Sequence, residues 1–301
     1  MSNPWILVGV DGSEAGRQAV RYAGKVADRL GADIRVVHVM VDLPLLPGMA
    51  PVADPSWVDS ARTLGEQFLA DAVAVATQTL SADRVGTTLL SGDRISAISE
   101  AAEGATTIVL GDERRSLLDR LVVGSVIAGV ASRATVPVVA VPDRWDPETS
   151  FDTVTVGVKD LDKAGPLVHA AAGVAADRKA RLVVLHAWHL PAAYDDLMVS
   201  AMDRAEFRQA AGQAMKPLLE AVTAAHPGLS AELVVVNGQP AAALVEASKN
   251  TDLIVLARRT RRFPMGYLGT TGRALLRASA CPVAVLPPDV THAENGAPPT
   301  A

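Results

Sequence analysis

The sequence predicts an α/β fold of two tandem doubly wound parallel-sheet domains, each an α/β/α sandwich. Three observations predict it. The chain has 301 residues, of which 49% are hydrophobic, enough for two cores of ordinary size. Short runs rich in β-branched residues alternate with longer segments that carry apolar residues at helical spacing, as in a parallel sheet covered on both faces. The chain also repeats its own landmarks once, so the two domains should be alike.

The repeat consists of segments that recur in the same order at an offset of 145 to 148 residues. The matched pairs are Ile6–Val10 with Val154–Val158, Ile34–Val39 with Leu182–Ala187, Thr107–Gly111 with Leu253–Ala257, and Gly124–Ser125 followed by 136–142 with Gly269–Thr270 followed by 281–287. A polar, proline-bearing stretch separates the units. We therefore predict a first domain over 1–142, a linker over 143–150, a second domain over 151–288 and a disordered tail over 289–301.

The elements of the first domain follow from local patterns. Apolar, β-branched runs predict strands near 5–10, 34–40, 85–90, 106–111 and 136–141. The first helix should begin at an N-cap, Ser13, and end at Gly31. Its predicted buried stripe consists of Ala15, Ala19, Ala23, Val26 and Leu30. A second helix is expected from about 58 to 80, after a long proline-bearing loop.

Composition excludes several classes of partner and location. With 28 basic and 33 acidic residues, the chain has no general attraction to phosphate backbones, so no nucleic acid is expected as a partner. The single cysteine, Cys281, lies in an apolar run and is expected to be a small buried hydrophobe. No stretch has the length or hydropathy of a secretion signal or a membrane span. We therefore expect a cytoplasmic protein that does not contact a membrane.

Two segments of the first domain point to the carboxyl ends of the strands, where open α/β sheets bind ligands. Asp11 directly follows the first strand, so its carboxylate could accept hydrogen bonds from ribose or adenine, or could instead form an Asx turn. Gly111 follows the fourth strand, and Gly124 with Ser125 should begin the last helix, where free N–H groups favour phosphate. There is no Walker A and no Gly-x-Gly-x-x-Gly sequence.

These residues resemble the signature of the universal stress protein family. Its ATP-binding members carry an aspartate after the first strand and the series Gly, two residues, Gly, nine residues, Gly and Ser or Thr. The resemblance implies that Val10, Asp11 and the Val39 backbone hold adenine and ribose. It also implies that ribose and phosphates are surrounded by Gly111, Gly124, Ser125 and Val126.

One signature position differs, because Arg114 stands where the family has its second glycine. Its guanidinium could fill the space of the phosphates or pair with them. After the third strand the second domain has the family's Gly-x-Pro turn at Gly238–Pro240, whereas Gly92-Asp-Arg94 keeps only the glycine. We expect these turn positions to shape the fold and to carry no chemistry.

The second domain has lost most of the signature. Lys159 replaces the aspartate, Ala257 and Thr260 replace two glycines, and Gly269–Thr270 follow one residue early. Lysine cannot accept hydrogen bonds from ribose, so no ATP site is expected there. The basic residues Lys159, Arg258, Arg259, Arg261 and Arg262 could gather an anion, although a solvated loop is the simpler interpretation.

No catalytic or metal site is predicted. The serines lie in no nucleophile elbow, and the histidines have no ligand spacing. His38 and His186 are equivalent strand-end residues in both domains, which favours a structural role. We expect an ATP-binding stress-response protein, with Mg²⁺ arriving on the triphosphate, which forms a homodimer and is not an enzyme. The alternatives are a nucleotide-free interaction scaffold and a slow ATPase.

Overall fold

The computed structural model describes residues 3–40, 55–112, 120–188, 201–258 and 268–288. The chain divides into two compact units, Met1–Pro147 and Glu148–Ala301. This division falls inside the stretch 143–150 that the sequence marks as a linker. The proline-bearing loop, most of the stretch around Arg114 and the tail 289–301 lie outside the described residues.

The first unit is a parallel sheet with helices between its strands. Its elements are β1 (Trp5–Gly9), α1 (Glu14–Leu30), β2 (Asp33–Met40), α2 (Pro55–Ala76), β3 (Val85–Ser91), α3 (Arg94–Ala101), β4 (Thr107–Asp112), α4 (Arg120–Arg133) and β5 (Val138–Pro142). The strand order is β3-β2-β1-β4-β5, and the neighbouring strands run parallel. The predicted strands are confirmed to within two residues at each end.

Helix α1 begins and ends where its sequence predicts. The Ser13 side chain accepts a hydrogen bond from the Gly16 N–H, and Gly31 ends the helix in the left-handed conformation with φ 64°. The alanines of the predicted stripe and Val26 are buried. Leu30 is a correction, because it is 38% exposed. It is the last residue of the helix, directly before Gly31, which turns the chain out of the helix in the left-handed conformation.

The order of the strands creates a crevice at one edge of the first sheet. From β1 the chain passes through α1 to β2 on one side, whereas β4 lies on the other side of β1. Helices α1 and α2 contact each other, as do α3 and α4. Right-handed crossovers in opposite directions place these two pairs on opposite faces of the sheet. The ends of β1 and β4 therefore flank the point where strand order reverses, the usual ligand position in such sheets.

The first part of the predicted linker packs against α1. The ring of Trp145 meets Tyr22 edge to face at a centroid distance of 5.4 Å. The ammonium group of Lys25 donates a hydrogen bond to the carbonyl of Pro147. Residues 143–147 are thus a packed extension of the first unit.

The second unit repeats the same plan. Its elements are β6 (Thr153–Val158), α5 (Gly165–Asp177), β7 (Arg181–Trp188), α6 (Ala201–Ala225), β8 (Ala231–Asn237), α7 (Pro240–Ala247), β9 (Leu253–Ala257), α8 (Thr270–Ala278) and β10 (Val283–Leu286). The strands are parallel in the order β10-β9-β6-β7-β8. The strand order reverses between β6 and β9, as it does between β1 and β4.

Cys281 is a core residue of the second unit, as its apolar surroundings in the sequence predict. It packs in a buried cluster that includes Leu256, Leu275 and Val283. Burial raises the pKa of the Cys281 thiol to about 12, so the sulfur is protonated at neutral pH. A neutral, covered thiol is neither a nucleophile nor a metal ligand.

Candidate functional site

A cleft of about 660 Å³, counted with its open mouth, lies where the strand order of the first unit reverses. Strand ends form its floor, and helices α1, α3 and α4 form its walls. The lining residues are Gly9, Val10, Asp11, Gly16, Val37, His38, Val39, Arg94, Ile98, Leu110, Gly111, Val126 and Ile127. The site is therefore apolar at its base and carries a few polar groups at its rim, as small-molecule sites commonly do.

Five of the eight residues singled out from the sequence line this cleft: Val10, Asp11, Val39, Gly111 and Val126. Arg114 lies outside the described residues. Gly124 and Ser125 belong to helix α4, and their side chains are not described.

The predicted start of the last helix at Gly124–Ser125 is wrong. Helix α4 begins at Arg120, and the residues before Gly124 include good helix formers with no glycine or proline to stop the helix. The free N–H groups of a helix belong to its first four residues. The donors that could face a phosphate at this helix therefore precede Gly124.

One oxygen of the Asp11 carboxylate supports the start of helix α1, and the other is available to a ligand. Oδ1 accepts hydrogen bonds from the Ser13 N–H at 3.1 Å and from the Ser13 hydroxyl at 2.5 Å. The Ser13 hydroxyl in turn accepts from the Gly16 N–H at 3.1 Å. The Asx turn considered from the sequence is thus present. Oδ2 has no partner among the described residues, and Asp11 is exposed at the cleft, so it can accept hydrogen bonds from a ligand.

The backbone of Val39 faces the cleft because β1 ends before it. The Val10 N–H donates to the Val37 carbonyl at 2.9 Å, so Val37 points its backbone polar groups toward β1. Alternate residues of a strand point these groups to the same side. Val39 therefore directs its N–H and carbonyl to the β1 side. These groups lie beyond Gly9, the last residue of β1 that pairs with β2. The N–H donor and the carbonyl acceptor of this one residue suit the hydrogen-bonding edge of a planar heterocycle.

His38 supports this arrangement. Its Nδ1 lies 2.8 Å from the Val10 carbonyl, and its ring meets Phe68 edge to face. Because a carbonyl only accepts, Nδ1 carries the proton. The second unit repeats the contact, with His186 Nδ1 3.1 Å from the Val158 carbonyl. The structural role predicted for these two histidines is confirmed: each caps the carbonyl at the end of the central strand.

Gly111 is required by packing between α1 and β4. A Cβ built on Gly111 would overlap the backbone carbonyl of Ala15 and fall 2.5 Å from the Gly16 nitrogen. Backbone atoms cannot move aside as a flexible side chain can. The glycine therefore brings the first turn of α1 against the end of β4, which also places Asp11 beside the fourth strand.

Arg94 is a cleft residue that the sequence analysis missed. It is the first residue of α3 and lines the cleft, although its turn was expected to carry no chemistry. The N-cap residue Asp93 accepts hydrogen bonds from the Ser96 N–H and hydroxyl at 2.9 Å each. The bond from the Ser96 N–H in particular lowers the pKa of Asp93, so this cap stays charged. The available signal was the repeat itself, which aligns Arg94 with Pro240.

The corresponding edge of the second unit differs in charge and in helix start. Lys159 follows β6 where Asp11 follows β1, and Ala257 ends β9. Helix α8 begins at Thr270 with Gly269 as its N-cap, so the glycine lies at the helix start here. Arg258 is described, whereas Arg259, Thr260, Arg261 and Arg262 lie outside the described residues. The anion-gathering cluster considered from the sequence is therefore untested.

Within the ranges that the structure covers, no three His, Cys, Asp or Glu side chains are grouped so that they could hold a metal ion. Among the helices in those same ranges, none has both the length and the apolar character needed to cross a membrane.

Comparison with known proteins agrees with the duplicated architecture. The model of the Universal stress protein family matches residues 5–142 and again 150–287. A universal stress protein of Mycobacterium tuberculosis is 28% identical over 291 residues, covering 93% of this chain and 96% of the relative.

Solved structures share the fold. A universal stress protein from Archaeoglobus fulgidus covers 95% of this chain and 99% of its own, with 21% identity and a TM-score of 0.69. A universal stress protein in complex with cAMP covers 47% of this chain with 24% identity. Its TM-score of 0.36 is too low to carry its ligand over to this chain.

Proposed function

Because the chain belongs to the universal stress protein family, whose model matches both of its units, we propose that the first unit binds ATP. The nucleotide occupies the cleft between the ends of β1 and β4. Its binding sets the conformation or the partner contacts of a stress-response protein.

The observation that carries the proposal is the convergence, on one apolar cleft, of polar groups that have no hydrogen-bond partner among the described residues. Asp11 Oδ2 and the backbone of Val39 face it from neighbouring strands, while Val10, Ile98 and Val126 supply apolar surface. The backbone pair of Val39 suits the adenine edge, and the carboxylate suits ribose hydroxyls. A triphosphate would extend toward the cleft mouth and bring Mg²⁺ with it.

The second unit has a supporting role in this proposal. Lys159 stands where the ribose acceptor would be and can only donate hydrogen bonds. The stoichiometry is therefore one nucleotide per chain, and the second unit contributes to assembly, including a homodimer of the chain. The acidic balance of the sequence and its single buried cysteine support a cytoplasmic protein without nucleic-acid partners.

Binding without catalysis is the activity that this arrangement favours. Phosphoryl transfer requires a base that positions the attacking group. In the described cleft, Asp11 Oδ1 is engaged by Ser13, Asp11 Oδ2 is assigned to ribose in this proposal, and His38 Nδ1 donates to a carbonyl. ATP hydrolysis, if measured, should be slow and incidental to the regulatory role.

The test is the nucleotide content of the purified full chain. Protein purified without added nucleotide is denatured, and the supernatant is resolved by chromatography. We expect adenine nucleotide at about one per chain, or, if purification strips it, ATP binding by calorimetry. If nucleotide is neither released nor bound, the chain is an interaction scaffold. A turnover that disappears on changing Asp11 while the fold is intact would instead identify an ATPase.

A further inference from the structure

Arg94 occupies a position that local helix chemistry disfavours. It is the first residue of α3, where the positive end of the helix dipole repels a cation and favours an acid or proline. The second unit has Pro240 at this position of α7, in agreement with that preference. Residues that break a local rule often serve a site. Arg94 breaks this rule at the rim of the cleft.

The guanidinium of Arg94 has no anionic partner in the described part of the chain. The side chain is exposed and lines the cleft, and no described carboxylate lies within ion-pair distance of it. The adjacent Asp93 is already engaged by Ser96. Asp11 lies in the same cleft but makes its own hydrogen bonds with Ser13. The cleft thus holds a positive group that no described carboxylate engages.

We propose that Arg94 binds the phosphates of the nucleotide and selects nucleotides over nucleosides. This inference rests on the proposed adenine-nucleotide site and adds a residue outside the family signature to it. A guanidinium can hold two phosphate oxygens at once. The Asp11 carboxylate repels phosphate but accepts from ribose hydroxyls, so the two charges orient the ligand: ribose toward Asp11 and phosphates toward Arg94.

The test compares the affinities of ATP and adenosine in matched arginine variants by calorimetry. Arg94→Ala should weaken ATP binding about tenfold or more, because a charge-assisted hydrogen bond to phosphate is lost. The affinity for adenosine should change less than twofold. Arg94→Lys should recover part of the ATP affinity, since lysine keeps the positive charge but cannot form the bidentate hydrogen bonds of a guanidinium. The control is Arg62→Ala, which removes an exposed arginine of α2 that does not line the cleft.

The outcomes separate this inference from the proposed function. If Arg94→Ala binds ATP within twofold of the wild type, Arg94 is a solvated surface residue and the inference falls, while the nucleotide site stands. If ATP and adenosine weaken equally, Arg94 shapes the helix start and does not select phosphate, which also overturns it. If the wild-type chain binds neither compound, the proposed function fails and takes the inference with it.

Discussion

Gly111→Ala is expected to destabilise the first unit by about 3 kcal/mol, because the added methyl group would overlap backbone and not a side chain. The atoms in its way are those of Ala15 and Gly16 in the first turn of α1. To make room, the helix must move away from β4 or the end of β4 must shift. Either change opens the packing on which the cleft depends.

Hydrogen exchange measures this loss in the first unit alone. Buried amides of β1 and β4 should exchange about a hundredfold faster in Gly111→Ala, whereas amides of β6 and β9 should not change. The matched control is Gly173→Ala in α5, where a Cβ would have no neighbour within 4 Å. That substitution should stabilise the second unit by about 0.5–1 kcal/mol, because alanine favours a helix. Unchanged exchange in Gly111→Ala would show that the close approach of α1 to β4 is wrong.

Variants of Asp11 should separate the role of Oδ1, which supports the start of α1, from the role of Oδ2, which faces the ligand. Asp11→Asn keeps an Oδ1 that can accept from Ser13 and replaces Oδ2 with an amide donor. We expect the stability of the first unit to be retained and ATP affinity to fall about tenfold, or about 1.4 kcal/mol. Asp11→Ala should lose the same affinity and, in addition, about 1 kcal/mol of stability, since the hydrogen bonds that support the start of α1 disappear.

Calorimetry with ATP and urea unfolding of both variants measure the two effects independently. Lys159→Ala serves as the control, because the equivalent position of the second unit has no part in the proposed site. Its ATP affinity should equal that of the wild type. If Asp11→Asn binds ATP as tightly as the wild type or more tightly, the carboxylate serves only the Asx turn.

The sequence was sufficient for the elements whose signals are local. Ser13 and Gly31 determine the ends of α1 through a side-chain cap and a left-handed backbone, and both are visible as residue types. The strands follow from β-branched runs, and the repeat assigns the second unit the same plan. Leu30 was misplaced because helical spacing gives the direction of a side chain but not where the surface beneath it ends.

The cleft was only partly predictable, because its polar groups depend on register and packing. Asp11 and Gly111 belong to a sequence motif, yet the close approach of the Ala15 backbone to Gly111 explains the glycine without any ligand. The direction of the Val39 backbone requires knowing that β1 ends beside Val37. Arg94 lines the cleft together with residues of α4 because α3 packs against α4, a tertiary contact that the turn sequence does not encode.

The most direct test of the nucleotide site is difference electron density from crystals of the full chain soaked in ATP and Mg²⁺. The proposal predicts one nucleotide per chain, with adenine against the backbone of Val39, ribose at Asp11 and phosphates near Arg94. Density in the second unit beside Lys159, or an empty first cleft at saturating ATP, would contradict it.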